Sequence, residues 1–368
     1  MTDERSFPSF FEGWETLAKE KVYPKAFGYM SSGAGKTLSL LRNVEAFDKL
    51  QLIPRVLRDV SHVSLKTHFL QKELEVPYML APIGFHEIVH LDGELASARA
   101  ANKMKVPFIQ STVSSHALEV IRKELTDVPH YFQLYWPNDE AVSESFIRRL
   151  ENAGVDGIVV TVDTPVLGRR EIDLKHQYFP MQTGAGMANY LTDPVFNARY
   201  NPNGSLSIEA IREKIQSILF HPGLTFDHIE KLVHSTDLPI ILKGVLHPED
   251  AKRAMALGVS GLIISNHGGR QLDGSVDALT ILPEIRKIAG HDFTLILDGG
   301  IRRGSDVVKA FLKGADFVLL GRPYLYGLVE GEAGVKAVLT TFNAEIESAL
   351  MLIGASNMSE TDSSMLLE

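Results

Sequence analysis

Eight short apolar runs recur along the chain from residue 78 onward, at 78–81, 107–111, 130–134, 157–162, 239–243, 262–265, 294–297 and 317–320. Each is rich in β-branched or aromatic residues, ends in polar or glycine residues, and is too short for a helix. A run that stays apolar without alternating is what a strand covered on both faces of a parallel sheet requires. Helical patterns fall between most of the runs, for example at 94–105, 141–153, 248–257 and 305–313. Eight strands alternating with helices is the count of an α/β fold of the (β/α)8 TIM-barrel kind, although a doubly wound open sheet alternates in the same way. At 368 residues the chain exceeds the usual size of a single core, but barrels commonly run longer as one domain. A single domain spanning 1–368 is therefore expected.

Three segments depart from the rhythm. Residues 1–60 read as an N-terminal helical cap, with helical spacing at 12–22 and 40–50 on either side of the glycine-rich Ser31-Ser-Gly-Ala-Gly-Lys-Thr37. That string mimics a phosphate-binding P-loop, but Met30 stands where the first glycine is required and no strand precedes it, so the P-loop reading is rejected. Residues 164–238 form a long excursion between the fourth and fifth strands, the kind of insertion that serves as a lid or binding loop. A last helical pattern at 334–353 gives way to a polar tail, 356–368, expected to be mobile.

A net charge of −9 with no Lys/Arg tract offers no footprint for nucleic acid. The absence of cysteine excludes disulfides, thiolate nucleophiles and cysteine metal sites. The N-terminus, Met1-Thr-Asp-Glu-Arg-Ser-Phe-Pro8, lacks the charged and apolar regions of a signal peptide, and no uninterrupted apolar run is long enough to span a bilayer. The expectation is a cytoplasmic protein with no membrane partner.

In a barrel, residues at the C-terminal ends of the strands converge on one mouth. Here these are Gln133 and Tyr135, Thr161 and Asp163, Lys243, His267 and Arg270, Asp298-Gly-Gly-Ile-Arg302, and Gly321-Arg322-Pro323. His267 can move a proton near neutral pH, and Arg270 can clamp a carboxylate with two parallel hydrogen bonds. Gly268 and Gly269 permit a tight turn close to a flat ligand. Arg302 and Arg322 lie in glycine-rich turns after the last two strands, where many barrels bind phosphate. Together these point to a phosphorylated cofactor lying across the mouth. No G-x-G-x-x-G follows a strand, which argues against a dinucleotide site of the Rossmann type. A competing pattern, His86-Glu87-Ile-Val-His90, matches the H-E-x-x-H of zinc proteases, but the third His of the extended motif falls on Ala96. A zinc hydrolase is the alternative from a different class.

Three strings in combination, Ser265-Asn-His-Gly-Gly-Arg-Gln271, Thr161-Val-Asp-Thr-Pro165 with Gly168-Arg-Arg170, and Asp298-Gly-Gly-Ile-Arg-Arg-Gly304, resemble the FMN-dependent 2-hydroxy acid oxidising family over residues 8–355. That family includes glycolate oxidase, lactate oxidase, lactate 2-monooxygenase and the flavocytochrome dehydrogenases. The resemblance implies a (β/α)8 barrel holding FMN, a homotetramer or homo-octamer, and a small (S)-2-hydroxy acid such as L-lactate as substrate. It makes His267 the base, with Asp163 stabilising its imidazolium. It gives the substrate carboxylate to Arg170 and Arg270, assisted by Tyr29, and the substrate hydroxyl or carboxylate to Tyr135. Lys243 would stabilise negative charge developing on the flavin ring. Pro82, Ile83, Gly84, Ser111, Gln133 and Thr161 match positions that hold that ring, and Ser265 joins the cofactor-binding set. Asp298, Gly300, Arg302, Gly321 and Arg322 match the ribityl and phosphate contacts.

The resemblance leaves the fate of the product open. Oxidases of the family usually carry Ala at position 84, whereas Ala81-Pro-Ile-Gly84 is the lactate monooxygenase pattern, and Asn189-Tyr-Leu-Thr-Asp-Pro-Val-Phe196 and Leu242-Lys-Gly-Val-Leu-His-Pro248 also look like the monooxygenase. The two outcomes are pyruvate with H2O2, oxygen reoxidising the flavin, or acetate with CO2 and water. A third passes the electrons to a quinone or cytochrome.

Overall fold

The eight apolar runs form a single closed barrel of parallel strands in the computed structural model, which describes residues 7–367. Residues 1–6 and 368, which belong to the expected domain, lie outside the described residues. The barrel strands, numbered β1 to β8, are Tyr78–Leu80, Phe108–Ser111, His130–Leu134, Gly157–Thr161, Ile240–Val245, Gly261–Ile264, Thr294–Asp298 and Phe317–Leu320. Closure comes from β8 pairing with β1, Val318 opposite Tyr78, which rules out the open sheet.

The lack of alternation in the runs has a direct cause. Met79, Ile109, Tyr131, Val159, Ile241, Ile263, Ile296, Phe317 and Leu319 point inward and fill the barrel. Their neighbours, such as Leu80, Phe132, Val160, Leu242, Ile264 and Leu297, point outward into the layer beneath the helices. Both faces are dry, so both carry apolar side chains. An antiparallel hairpin, Thr67–Phe69 with Lys72–Leu74, plugs the N-terminal end. Its Phe69 ring lies 4.9 Å from Phe317 and 5.7 Å from Tyr131, centroid to centroid.

The helices between the strands follow their end signals. Asp139 caps Glu140–Ala153 by accepting from the N–H groups of Ala141 and Val142, Gly154 closes it at φ 65°, and Val142, Phe146 and Leu150 make the buried stripe. The cap contains three helices, α1 (Phe11–Lys21), α2 (Pro24–Ser31) and α3 (Leu38–Asp48). The middle one is not apparent from spacing, being short and opened by Pro24 at its first position. The 164–238 excursion is largely helical, its longest elements being Ile208–Ile218 and Phe226–Ser235.

One expectation is corrected. The polar tail is docked: Gln51 and Leu52 pair with Leu367 and Leu366, and Met358 and Met365 are buried. Those two methionines and the strand pair anchor a segment whose average composition is polar. The helix Gly331–Ile353 is, by length and composition, apolar enough to cross a membrane. Its Val335, Val338, Leu339, Phe342, Ile346 and Leu350 form a buried stripe at helical spacing, packed on the helices Gly93–Lys103 and Gly304–Leu312.

Candidate active site

The strand ends and the cap enclose a cavity of about 150 Å³ at the C-terminal mouth of the barrel. Its lining includes Tyr29, Tyr135, Arg170, His267 and Arg270, then Pro82, Ile83, Gly84, Ser111 and Lys243, and also Asp298, Gly300, Arg302, Gly321 and Arg322. Asp163, Gln133 and Ser265 bond to members of this lining, and Thr161 bonds to Gln133.

His267 sits in the turn after β6 in the left-handed region, φ 60°, a costly conformation for a residue with a side chain. Local hydrogen bonds over-determine it. The Ser265 hydroxyl accepts its N–H at 2.9 Å, and the Asn266 side chain accepts from Gly269 N–H at 3.0 Å. Asn266 is in turn paired amide to amide with Asn43 of α3, at 2.8 Å in both directions. The ring Nδ1 lies 2.9 Å from an Asp163 carboxylate oxygen, and Nε2 lies 3.4 Å from the Tyr135 hydroxyl. Asp163 reaches this place because Gly244, at a bulge in β5 with φ 105°, has no Cβ; one there would stand 2.5 Å from the Asp163 side chain.

Burial pushes the His267 ring below the ordinary imidazole value, against the pull of Asp163. Burial alone would raise the Asp163 carboxyl, but His267 and Lys243 hold it below the usual carboxylate range. The pair is therefore a neutral imidazole backed by a carboxylate. With Nδ1–H donated to Asp163, the Nε2 lone pair faces the cavity. Lys243 opposes burial through Asp298, 2.8 Å away, and Asp163, and is held as a cation. Its ammonium also donates to Ser265 at 3.0 Å. Across the tops of β2 to β4, Ser111 donates to Gln133 at 3.1 Å and Gln133 donates to Thr161 at 2.9 Å, a polar rail at one height.

The arginines carry the main electrostatic signal. Arg270 and Arg322 are pushed down to about 10, chiefly by burial, and burial lowers Arg302 as well. Among the described residues none of the three makes an ion pair. Arg270 donates to the carbonyls of Tyr29 and Ser32, and Arg322 to those of Met30, Ser32 and Gly268. Arg302 stacks on Phe11 at 4.6 Å. Arg170 and Arg270 lie over the Tyr29 ring at 5.7 and 4.7 Å. Buried guanidiniums without carboxylates call for anions. Arg270 and Arg322 converge on the Ser32 carbonyl, and Arg322 also reaches Gly268 O beside His267. With Arg302 on the same lining, the concentration of positive charge fits more than one anionic group, such as a carboxylate and a phosphate. A flat ring with a phosphate tail thus suits the cavity.

The zinc motif does not assemble. His86 bonds to Ser97 and Tyr324 inside the protein, Glu87 is exposed, and His90 Nδ1 accepts from Asp92 N–H. Among the described residues no three His, Asp or Glu side chains are grouped to hold a metal ion. The glycine-rich string 31–37 serves as a strap: Ala34 N–H donates to Gly269 O and Gly35 N–H to Arg169 O, each at 2.8 Å.

Sequence reasoning passed over several wall residues. Val113, Phe179, Leu219 and Phe220 line the cavity, and the Phe220 ring packs edge-on against Tyr135 at 5.5 Å. The one available signal was the apolar pair Leu219-Phe220 immediately after an amphipathic helix within the insertion. The string Asn189–Phe196 is an anchor. Asn189 receives Leu118 N–H and donates to Thr112 O, while Asp193 caps the helix Pro194–Tyr200 and accepts from Ser145.

Comparison with known proteins agrees with this chemistry. The chain is 43% identical over 359 residues to an L-lactate oxidase of Lysinibacillus sphaericus, covering 97% of this chain and 92% of that protein. It is 38% identical over 370 residues to an L-lactate oxidase of Nostoc, covering all of both. A solved structure of mandelate oxidase superposes with a TM-score of 0.87 at 33% identity, covering 98% of each chain. Residues 18–368 match the model of the FMN-dependent dehydrogenases. With FMN as the cofactor whose ring and phosphate the cavity suits, the chain belongs to the FMN-dependent dehydrogenase family.

Proposed function

We propose that this enzyme oxidises a small (S)-2-hydroxy acid, L-lactate foremost, to the 2-keto acid, with oxygen as the final acceptor and H2O2 as co-product. The observation that carries the reading is the His267–Asp163 pair facing Tyr135 in a cavity shared with Arg170 and Arg270. The two guanidiniums bind the substrate carboxylate, and the Tyr135 hydroxyl bonds the substrate hydroxyl. This orients the substrate so that His267 Nε2 takes its proton. Asp163 stabilises the resulting imidazolium and fixes the ring's tautomer. FMN, when bound, supplies the two-electron acceptor and the site of oxygen reduction. Pro82–Gly84 and the Ser111–Gln133–Thr161 rail would hold its ring, and Ser265, Asp298 and Gly300 its ribityl chain. Arg302, Gly321 and Arg322 would hold its phosphate. The Lys243 cation favours electron density arriving on the ring.

Glycine at position 84 is explained by packing. A Cβ there would stand 2.4 Å from a Val113 methyl group and 2.8 Å from the Val113 carbonyl oxygen. The space that glycine leaves is thus filled by Val113. Both relatives named above carry the name L-lactate oxidase, which supports the oxidase outcome. A homotetramer or homo-octamer is the assembly we infer. Val56 and Leu57 are exposed at 80% and 103% of their surface, and Leu57 is at φ 60°, a costly arrangement to present only to water. Light scattering on the purified protein tests this, and a monomer would refute it.

The functional test is anaerobic mixing of the holoenzyme with L-lactate, then readmission of oxygen. Flavin bleaching followed by equal pyruvate and H2O2 is the expected result. Acetate without peroxide would establish the monooxygenase, and reduced flavin that oxygen does not reoxidise would point to a quinone or cytochrome acceptor. Flavin that stays oxidised would exclude lactate.

A further inference from the structure

Behind the Ala81–Phe85 turn lies a buried polar cluster that the chemistry above does not use. Glu94, on the first turn of the helix Gly93–Lys103, is fully buried. One of its carboxylate oxygens accepts His86 N–H at 3.1 Å, and the other lies 3.2 Å from His116 Nδ1. Burial alone would raise this carboxyl, but His116 and His86 outweigh it and hold Glu94 ionised. The His86 ring reaches Ser97 Oγ at 3.1 Å through Nδ1 and the Tyr324 hydroxyl at 3.3 Å through Nε2. Tyr324 spends its own hydrogen on the Ala81 carbonyl at 2.8 Å, so it must accept from His86, which fixes the Nε2–H tautomer and leaves Nδ1 to accept from Ser97.

These bonds close on both ends of one turn. Ala81 is held through its carbonyl by Tyr324 and through its N–H by Leu320 O. At the other end Phe85, at φ 63°, donates to Val113 O at 3.0 Å, and His86 N–H is taken by Glu94. Pro82, Ile83 and Gly84 are suspended between the clamps and face the cavity. Tyr324 also lies in the helix that begins at Arg322, so the same cluster joins the Ala81–Phe85 turn to the arginine assigned to the phosphate. We propose that the Glu94–His86–Ser97–Tyr324 cluster is a positioning device for the cofactor, fixing the Ala81–Phe85 turn against the isoalloxazine ring and coupling that contact to the phosphate site. The inference rests on the reading of the cavity as the FMN site.

Tyr324→Phe keeps the ring and removes the hydroxyl, leaving the Ala81 carbonyl and the His86 Nε2–H without their partner. The full-length apoprotein is titrated with FMN and with riboflavin, which lacks the phosphate, and the reduction potential of the FMN-saturated protein is measured. Riboflavin is expected to bind about tenfold more weakly, and FMN to lose more than riboflavin because its phosphate site is loosened as well. The potential should move by about 30 mV, the equivalent of a tenfold change in relative affinity for the two redox states. A lower melting temperature with both affinities and the potential unchanged would overturn the proposal and leave the cluster as packing. Should Tyr324→Phe fail to fold, Ser97→Ala, which removes only the donor to His86 Nδ1, is judged by the same measurements. If the parent chain binds neither flavin, the site reading falls and the proposal with it. If the parent binds both and the variants match it, only the proposal falls.

Discussion

At the residue scale, the consequences concentrate on His267 and Gly84. Replacing His267 by Ala should leave FMN bound but abolish flavin reduction by lactate; reduction at near the parent rate would refute the base assignment. Asp163→Asn should lower kcat/KM by on the order of 10²–10⁴, through loss of imidazolium stabilisation and tautomer control. Because His267 lies below its ordinary value, the neutral base persists as the pH falls through 6.5. The acid limb of kcat/KM should therefore appear below pH 6.5. Gly84→Ala should destabilise the protein by about 1–3 kcal/mol, the usual range for overpacking. Val113→Ala in the same chain should recover only part of that loss, because it removes the methyl contact and leaves the carbonyl contact in place; denaturant unfolding of the two single variants and the double reads it. That His267, Asp163 and Tyr135 would meet at one mouth was legible because each follows a short apolar run and carries a distinctive polar neighbourhood. Val113 was not, since its role depends on a contact with a strand end nearly thirty positions away, which no local pattern encodes.

At the element scale, the insertion does two things. Its Gly168–Arg170 stretch is tied to the turn after β6, where Gln271 donates to the carbonyls of Asp163 and Val166 and accepts Gly168 N–H. Further along, Leu219 and Phe220 separate the main cavity from a side chamber of about 40 Å³ bounded by Trp136, Thr164, Pro165 and His221. Phe220→Ala should join the two spaces. The ratio of kcat/KM for 2-hydroxyoctanoate to that for lactate should then rise about tenfold; an unchanged ratio would mean that the partition does not set chain length. That 164–238 forms an insertion was evident from the broken rhythm. The short helices inside it, such as Glu171–His176 and Pro194–Tyr200, and the helix Pro24–Ser31 were less so, because elements this short owe their stability to what they pack against more than to their own spacing. The docked tail escaped for the opposite reason: two buried methionines and a two-residue strand pair outweigh a polar average.

At the scale of the whole molecule, the barrel was the most legible feature, because a sheet covered on both faces leaves a repeated imprint that no single loop can blur. The same dry layer carries a liability. His130, at the start of β3, is fully buried with one ring nitrogen 3.1 Å from Gln110. Burial pushes it down to about 3, far below the ordinary imidazole value. Below pH 6.5 the unfolded chain takes up a proton that the folded chain refuses, so stability is lost as the pH falls from there toward 3. His130→Gln should flatten the dependence of Tm on pH between 6.5 and 4, whatever its effect at neutral pH; an unaltered slope would show that the acid sensitivity arises elsewhere.

The strap at 31–37 also bears on how the enzyme comes into being. The Ser32 carbonyl and the Arg270 guanidinium that it accepts from are 238 residues apart in sequence. On the ribosome, the strap emerges long before the turn after β6 that will receive it. The barrel's early strands can begin to pair while the mouth still lacks its rim, so catalytic competence arrives late in synthesis. Ribosome-stalled chains ending shortly after β5 would carry most of the scaffold and none of the completed site.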